Sequence, residues 1–137
     1  MNATTAGWVG NIQTLTQENT NYRTVLHTAA NLQLTVMCLA TGEEVGVEMH
    51  DHLDQFIRVE SGSARVTFGP SATEVDIAHD IADDWAIIIP GGTWHNVINT
   101  GVEELRFYSL YAPAEHPDGA VHVTKADADA AHAAEQH

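Results

Sequence analysis

The chain predicts an all-β fold, a sandwich or barrel built as one domain. Short stretches rich in β-branched and aromatic residues recur between Gly, Pro, Asn and Asp turn signals, and the spacing leaves no room for parallel βαβ units. A length of 137 residues suffices for one core, and the lone cysteine, Cys38, allows no internal disulfide.

The candidate strands follow in order. "NYRTVLHT" and "LQLTVMCLA" come first, the second placing Cys38 among apolar neighbours as a small buried hydrophobe, with a reducing interior as its natural setting. In "VGVEMH", two-residue periodicity sets Gly46, Glu48 and His50 on one face, opposite Val47 and Met49. In "QFIRVESG", Gln55, Ile57 and Val59 share the inward face, while Phe56, Arg58 and Glu60 face out. "SARVTFG", "EVDIA" and "WAIIIP" continue the series. "HNVINTG" sets His95, Val97 and Asn99 together, with Trp94, Asn96 and Ile98 opposite, and "ELRFYSLYAP" reads as the last strand. The alanine-rich, acidic end "KADADAAHAAEQH" reads as a terminal helix. The expected organisation is an N-terminal extension with strands over 1–30, a barrel over 31–115 and a tail over 116–137.

Charge narrows the function. Five Lys plus Arg face 19 Asp plus Glu, a net of −14, which repels phosphate backbones and anionic lipid surfaces. No nucleic acid and no membrane partner is expected; a small-molecule substrate is. The opening "MNATTAGWVGN" has neither a basic start nor a continuous apolar stretch, and no apolar run approaches the ~20 residues that span a bilayer. A cytoplasmic location is the expectation.

Nine histidines draw attention to "EMHDHLDQF" and "PGGTWHNVIN". Gly42, Glu48, His50, Gln55 and Gly62 fall in the register G(x5)HxH(x4)E(x6)G. Pro90, Gly92, His95 and Asn99 fall in G(x5)PxG(x2)H(x3)N, with Asp84 where the first glycine is expected. On these motifs the chain resembles a single-domain cupin, a cupin-type double-stranded jelly-roll barrel that holds a metal in its mouth. Its C-terminal stretch is similar to a subset of bacterial cupins often labelled mannose-6-phosphate isomerase-like. Carried over position by position, the resemblance implies one divalent ion (Fe, Mn, Zn or Ni) held by Glu48, His50, Gln55 and His95. A second register makes "HDH" the ligand pair, His50 with His52, but loses the Gly42 spacing.

Alternatives stand beside each residue. Glu48 is a ligand or a structural or catalytic carboxylate; Gln55 is a ligand or a hydrogen-bonding neighbour. Trp85 and Trp94 read as packing residues. His27, His79, His132 and His137 read as surface residues. His116 and His122 lie in a stretch that reads first as a structural loop, from which Tyr111 or His116 could reach the barrel mouth or a partner subunit. Arg58 points away from the pocket and Arg65 lies past the motif glycine, so a sugar phosphate is disfavoured.

The expected function is a metal-dependent enzyme doing isomerase- or lyase-type chemistry on a small polar, oxygen-bearing molecule, with Glu48 or a displaced water handling a proton. Two rivals remain: a non-haem Fe(II) dioxygenase, whose ligand chemistry also joins two histidines and a carboxylate, and a cupin that binds a metabolite or metal without turnover. The resemblance further implies a homodimer.

Overall fold

In the structure, a computed structural model that describes residues 6–135, the turn-bounded segments form two antiparallel sheets with a helix at either end. His137 lies outside the described residues. The elements are α1 (Ile12–Glu18), β1 (Arg23–Thr28), β2 (Gln33–Leu39), β3 (Asp54–Ser61), β4 (Ser63–Gly69), β5 (Ile77–Ala82), β6 (Ala86–Ile89), β7 (Trp94–Asn99), β8 (Leu105–Ala112), β9 (Val121–His122) and α2 (Lys125–Glu135). One sheet has the order β6-β3-β8-β2-β1-β9, the other β5-β4-β7.

Register explains where a polar site fits inside an apolar barrel. Across the large sheet, Leu39 pairs with Leu105, Met37 with Phe107 and Phe107 with Val59, so one end fills with apolar side chains. Val66, Ile81 and Val97 close that core from the small sheet. Each such fully buried side chain contributes ~1.5–3 kcal/mol. Two residues further along the same strands the inward positions turn polar: Thr35 pairs with Ser109, then Gln33 and Gln55 both pair with Tyr111. All five are buried. The functional groups gather at this end.

Two backbone positions account for motif residues. Gly62 has φ +100°, and a Cβ there would lie 2.9 Å from the Glu104 carbonyl oxygen, so glycine is required between β3 and β4. Asp84 adopts φ 73° where the resemblance expects a glycine. Asp is among the few side chains that tolerate this region, and its Oδ1 accepts a 3.0 Å hydrogen bond from Arg58.

Several expectations are corrected. "VGVEMH" is not a strand: within it only Glu48 pairs, in an isolated bridge to His95 on β7, and Glu44 just before it bridges Ile98. The strand expected at "EVDIA" begins later, at Ile77. Trp85 is 55 % exposed and does not pack inward. Glu60, on the outer face, is nonetheless buried beneath its ion pair with Arg58. α1 has no periodic apolar signal; Asn11 starts it by accepting a 3.0 Å hydrogen bond from the Thr14 amide. The terminal helix is present as α2, opened by a reciprocal cap in which Thr124 Oγ1 accepts from the Asp127 amide and Asp127 Oδ2 from the Thr124 amide.

Candidate metal centre

Glu48 and His95 are locked together by their backbones. Each amide donates to the other's carbonyl at 2.9 Å, the pattern of an antiparallel pair, so both side chains emerge on the same side. His50 follows two residues on, and its carbonyl accepts a 2.8 Å hydrogen bond from the Gly92 amide. The Pro90–Gly91–Gly92 turn is thereby clamped to the His50 segment. A Cβ at Gly91 would stand 2.9 Å from the Leu53 carbonyl, which is why this approach takes glycine.

One oxygen faces two nitrogens. Glu48 Oε1 lies 3.5 Å from His50 Nε2 and 3.4 Å from His95 Nε2. The ligand atoms of the three residues all fall within 4.8 Å of one another. Ligands held at ~2.0–2.2 Å from a shared cation sit about 3–3.5 Å apart, so the spacing suits an ion better than a direct hydrogen bond.

The opposite ring nitrogens are already engaged. His95 Nδ1 is 2.9 Å from the Thr93 carbonyl, and His50 Nδ1 is 2.8 Å from Glu115 Oε2. The Thr93 carbonyl holds the proton of a neutral His95 ring on Nδ1 and leaves its Nε2 as the lone-pair nitrogen, while the Glu115 carboxylate stands beside His50 Nδ1 as an ion-pair partner. Both Nε2 atoms are buried with no hydrogen-bond partner. Gln55 shows the same asymmetry: its Nε2 donates to Ser109 Oγ at 3.3 Å, while its buried Oε1 has no partner. Three unpartnered donor atoms in one polar pocket match a group that takes lone pairs.

Electrostatics in the metal-free arrangement agree. Burial alone would raise the Glu48 carboxyl, but the two imidazoles overcome it and hold the group well below the usual carboxylate range. Burial pushes the His50 imidazole down; the contacts with Glu115 and Glu48 outweigh it and lift the ring to about 9. A cation at this point would replace that proton.

Above the three residues opens a cavity of about 280 Å³, walled by His50, Glu115, His116, His122, Arg23 and Lys125. A narrower recess of about 10 Å³, room for one ion or one water, lies between Glu48, Gln55, His95, Arg23 and Tyr111. Glu48 keeps 34 % of its side chain exposed and His95 only 2 %, so the group opens on the glutamate side.

The structure thus brings Glu48, His50 and His95 together and places Gln55 in the same recess. His52 is elsewhere: its side chain is 61 % exposed and pairs with Asp51 at 3.0 Å. His27 is half-buried against Trp8, His79 is exposed against Phe68, and His132 is exposed, as expected, at the rim of the mouth. Tyr111 and His116 do reach the pocket, with Tyr111 Oη 3.4 Å from His116 Nε2. Burial pushes the His116 imidazole down to about 3 and the Tyr111 phenol up to about 12, so both are neutral near pH 7. Glu115 and Arg23 were missed by sequence reasoning. No periodic signal marks Glu115, and Arg23 sits in a strand whose inward face could not be told from alternation alone.

Comparison with known proteins decides the family: the cupin domain family matches residues 35–111, which span both motifs and all four candidate ligands. The chain belongs to the cupin family. This cupin is 47 % identical to BH2720 from Bacillus halodurans, whose crystal structure superposes with a TM-score of 0.90 over 92 % of this chain and 96 % of that one. It is 48 % identical to the uncharacterized protein YrkC of Bacillus subtilis (strain 168), over 90 % of this chain and 67 % of the relative. A mimivirus relative, the uncharacterized protein L612 of Acanthamoeba polyphaga mimivirus, is 36 % identical over 86 % of this chain and 72 % of its own. The two antiparallel sheets are the cupin jelly roll. No helix among the described residues is long and apolar enough to cross a membrane.

Proposed function

We propose that this cupin binds one divalent metal ion (Fe, Mn, Zn or Ni) through Glu48, His50 and His95, with Gln55 Oε1 as a fourth donor. On this reading it carries out isomerase- or lyase-type chemistry on a small polar, oxygen-bearing molecule. The observation that carries the proposal is the pair of buried, unpartnered imidazole Nε2 atoms turned toward a single carboxylate oxygen, each ring tethered from behind. When bound, the metal supplies Lewis-acid polarisation of a carbonyl or hydroxyl.

The chain's own residues do the rest. Thr93 and Glu115 hold the two imidazoles in orientation. Glu48, at the open side of the group, or a displaced water handles the proton. Tyr111, a neutral phenol in the wall of the recess, is a hydrogen-bond donor for an oxygen placed there.

A second reading is favoured by one feature: two histidines and one carboxylate also form the ligand set of non-haem Fe(II) oxygenases. A third, binding without turnover, is favoured by Gln55, which offers an amide where the motif has a basic carboxylate.

Metal content of the purified protein tests the centre. Near-stoichiometric metal in the wild type and its loss in the His50→Ala, His95→Ala double variant are expected. Stoichiometric metal surviving both substitutions removes the site. Oxygen uptake by the anaerobically Fe(II)-loaded protein with diols, diketones or thiols separates the oxygenase from the isomerase reading. We also propose a homodimer, supported by the exposed apolar Trp85 and Ile88 beside the β6 edge; a one-chain mass in sedimentation at micromolar concentration overturns it.

A further inference from the structure

Arg23 stands apart from the other arginines. Arg58 pairs with Glu60 and Asp84, Arg65 with Asp80 and Arg106 with Glu104, as expected in a chain where 19 acids surround five bases. Arg23 is 7 % exposed, its Nε is buried without a hydrogen-bond partner, and no carboxylate oxygen lies within 4.0 Å of it among the described residues. Its contacts are His122 Nδ1, 3.4 Å from Nη1, and the Tyr22 ring, 5.3 Å below the guanidinium carbon. A buried guanidinium without a counter-ion is costly, and in so acidic a protein a carboxylate partner was readily available. The partner therefore comes from outside.

Position says what that partner is. Arg23 lines both the mouth cavity and the small recess that holds Glu48, Gln55 and His95. A molecule whose anionic end meets this guanidinium has its other end beside the candidate ligands. One planar fork matches one carboxylate. Further charge is poorly served: Lys125, also in the wall, is tied to Asp129 at 3.1 Å, and the first turn of α2 is capped by Thr124 and Asp127. A phosphate dianion would find one fork where it prefers several donors.

We propose that Arg23 recognises a carboxylate of the substrate, so that the molecule handled at this centre is a small monocarboxylic acid carrying a hydroxyl or carbonyl oxygen on its metal-facing side. The proposal rests on the metal-centre reading for the second half of that description and on Arg23 alone for the first.

The test compares glycolate, its neutral isostere glycolamide and inorganic phosphate by calorimetric titration of the metal-loaded protein, with a parallel series on metal-free protein. Glycolate binds about tenfold or more tightly than glycolamide in both forms, the gain expected of a charge-assisted pair. Arg23→Gln brings the ratio toward one in the metal-free protein and cuts it in the loaded one, while Arg23→Lys retains part of it. Equal affinity of the wild type for glycolate and glycolamide overturns the proposal without any variant. So does an Arg23→Gln protein that keeps the preference, or phosphate binding more tightly than glycolate. Metal stoichiometry, measured in the same samples, separates the two readings. Carboxylate preference through Arg23 without metal uptake ends the metal reading only, whereas metal uptake without that preference ends this one only.

Discussion

Glu115 Oε2 lies 2.8 Å from His50 Nδ1: His50 precedes β3, Glu115 follows β8, and the pairing of Asp54 with Ala112 brings the two segments out at the same end of neighbouring strands. The contact is an ion pair, and its place behind a candidate metal ligand is the one from which a carboxylate can set ring orientation. Glu115 is itself held by the chain around it: its amide donates to Gln33 Oε1 at 3.1 Å, next to the His116 amide at 3.0 Å. Gln33 is fully buried, so the support is rigid.

Replacing Glu115 therefore weakens the centre without removing a ligand. Glu115→Ala is expected to lower metal affinity by about 10–100-fold. Competition against a chromophoric chelator measures this, and unchanged affinity shows that the contact does not orient the ring.

Metal uptake is expected to release a proton. The His50 ring of the metal-free protein titrates near 9, so at pH 7 it carries a proton that an incoming ion must displace, whereas Glu48 is already ionised. Apparent affinity rises with pH, about tenfold per unit between pH 7 and 9, and flattens above. Calorimetry in two buffers of different ionisation enthalpy counts the proton; a count of zero contradicts the assignment.

Acid sensitivity has its own source in His116. Its folded value of about 3 lies below the ordinary 6.5, so the unfolded chain binds a proton that the folded chain refuses. Stability is full above about 6.5 and falls as pH drops toward 3, with a limiting slope of ~1.4 kcal/mol per unit. His50 acts in the opposite sense in the metal-free protein: raised to about 9, its contribution is present below 6.5 and fades as pH rises through 9. Urea midpoints of metal-free His116→Gln across pH 4–7 are expected to vary less than those of the wild type.

Gly62→Ala tests the backbone reading. The added Cβ meets the Glu104 carbonyl at 2.9 Å and the Leu105 Cα at 3.0 Å, at a φ that L side chains rarely adopt. A loss of ~1–3 kcal/mol or more is expected in denaturant melts, with metal stoichiometry unchanged in the folded fraction.

These sites differ in how far sequence pattern exposes them. His50 and His95 stand in spaced motifs, and the alternation in "QFIRVES" turned Gln55 inward, because strands impose a period of two on every side chain they carry. The grouping of Glu48 with His50 was also foreseen, though for a reason that does not hold. No strand carries them; backbone pairing with His95 and the clamp on Gly92 bring them round. Glu115, His116 and His122 lie after the last long strand, where no period relates one residue to the next and only tertiary packing decides direction. Arg23 was hidden differently, since β1 has the mixed burial of a strand covered partly by loops, and a lone arginine in such a strand reads as surface. Asp84 shows the converse: a missing motif glycine signalled no missing turn, because aspartate adopts the same backbone conformation.

The two-residue β9 and the α2 helix that follows it contribute His122, Lys125 and Ala128 to the mouth, while every candidate ligand comes from residues 48–95. Part of the mouth wall is therefore built by a stretch of chain separate from the candidate ligands. Exchange of the last twenty or so residues between relatives would reshape that part of the wall and leave Arg23 and the candidate ligands in place.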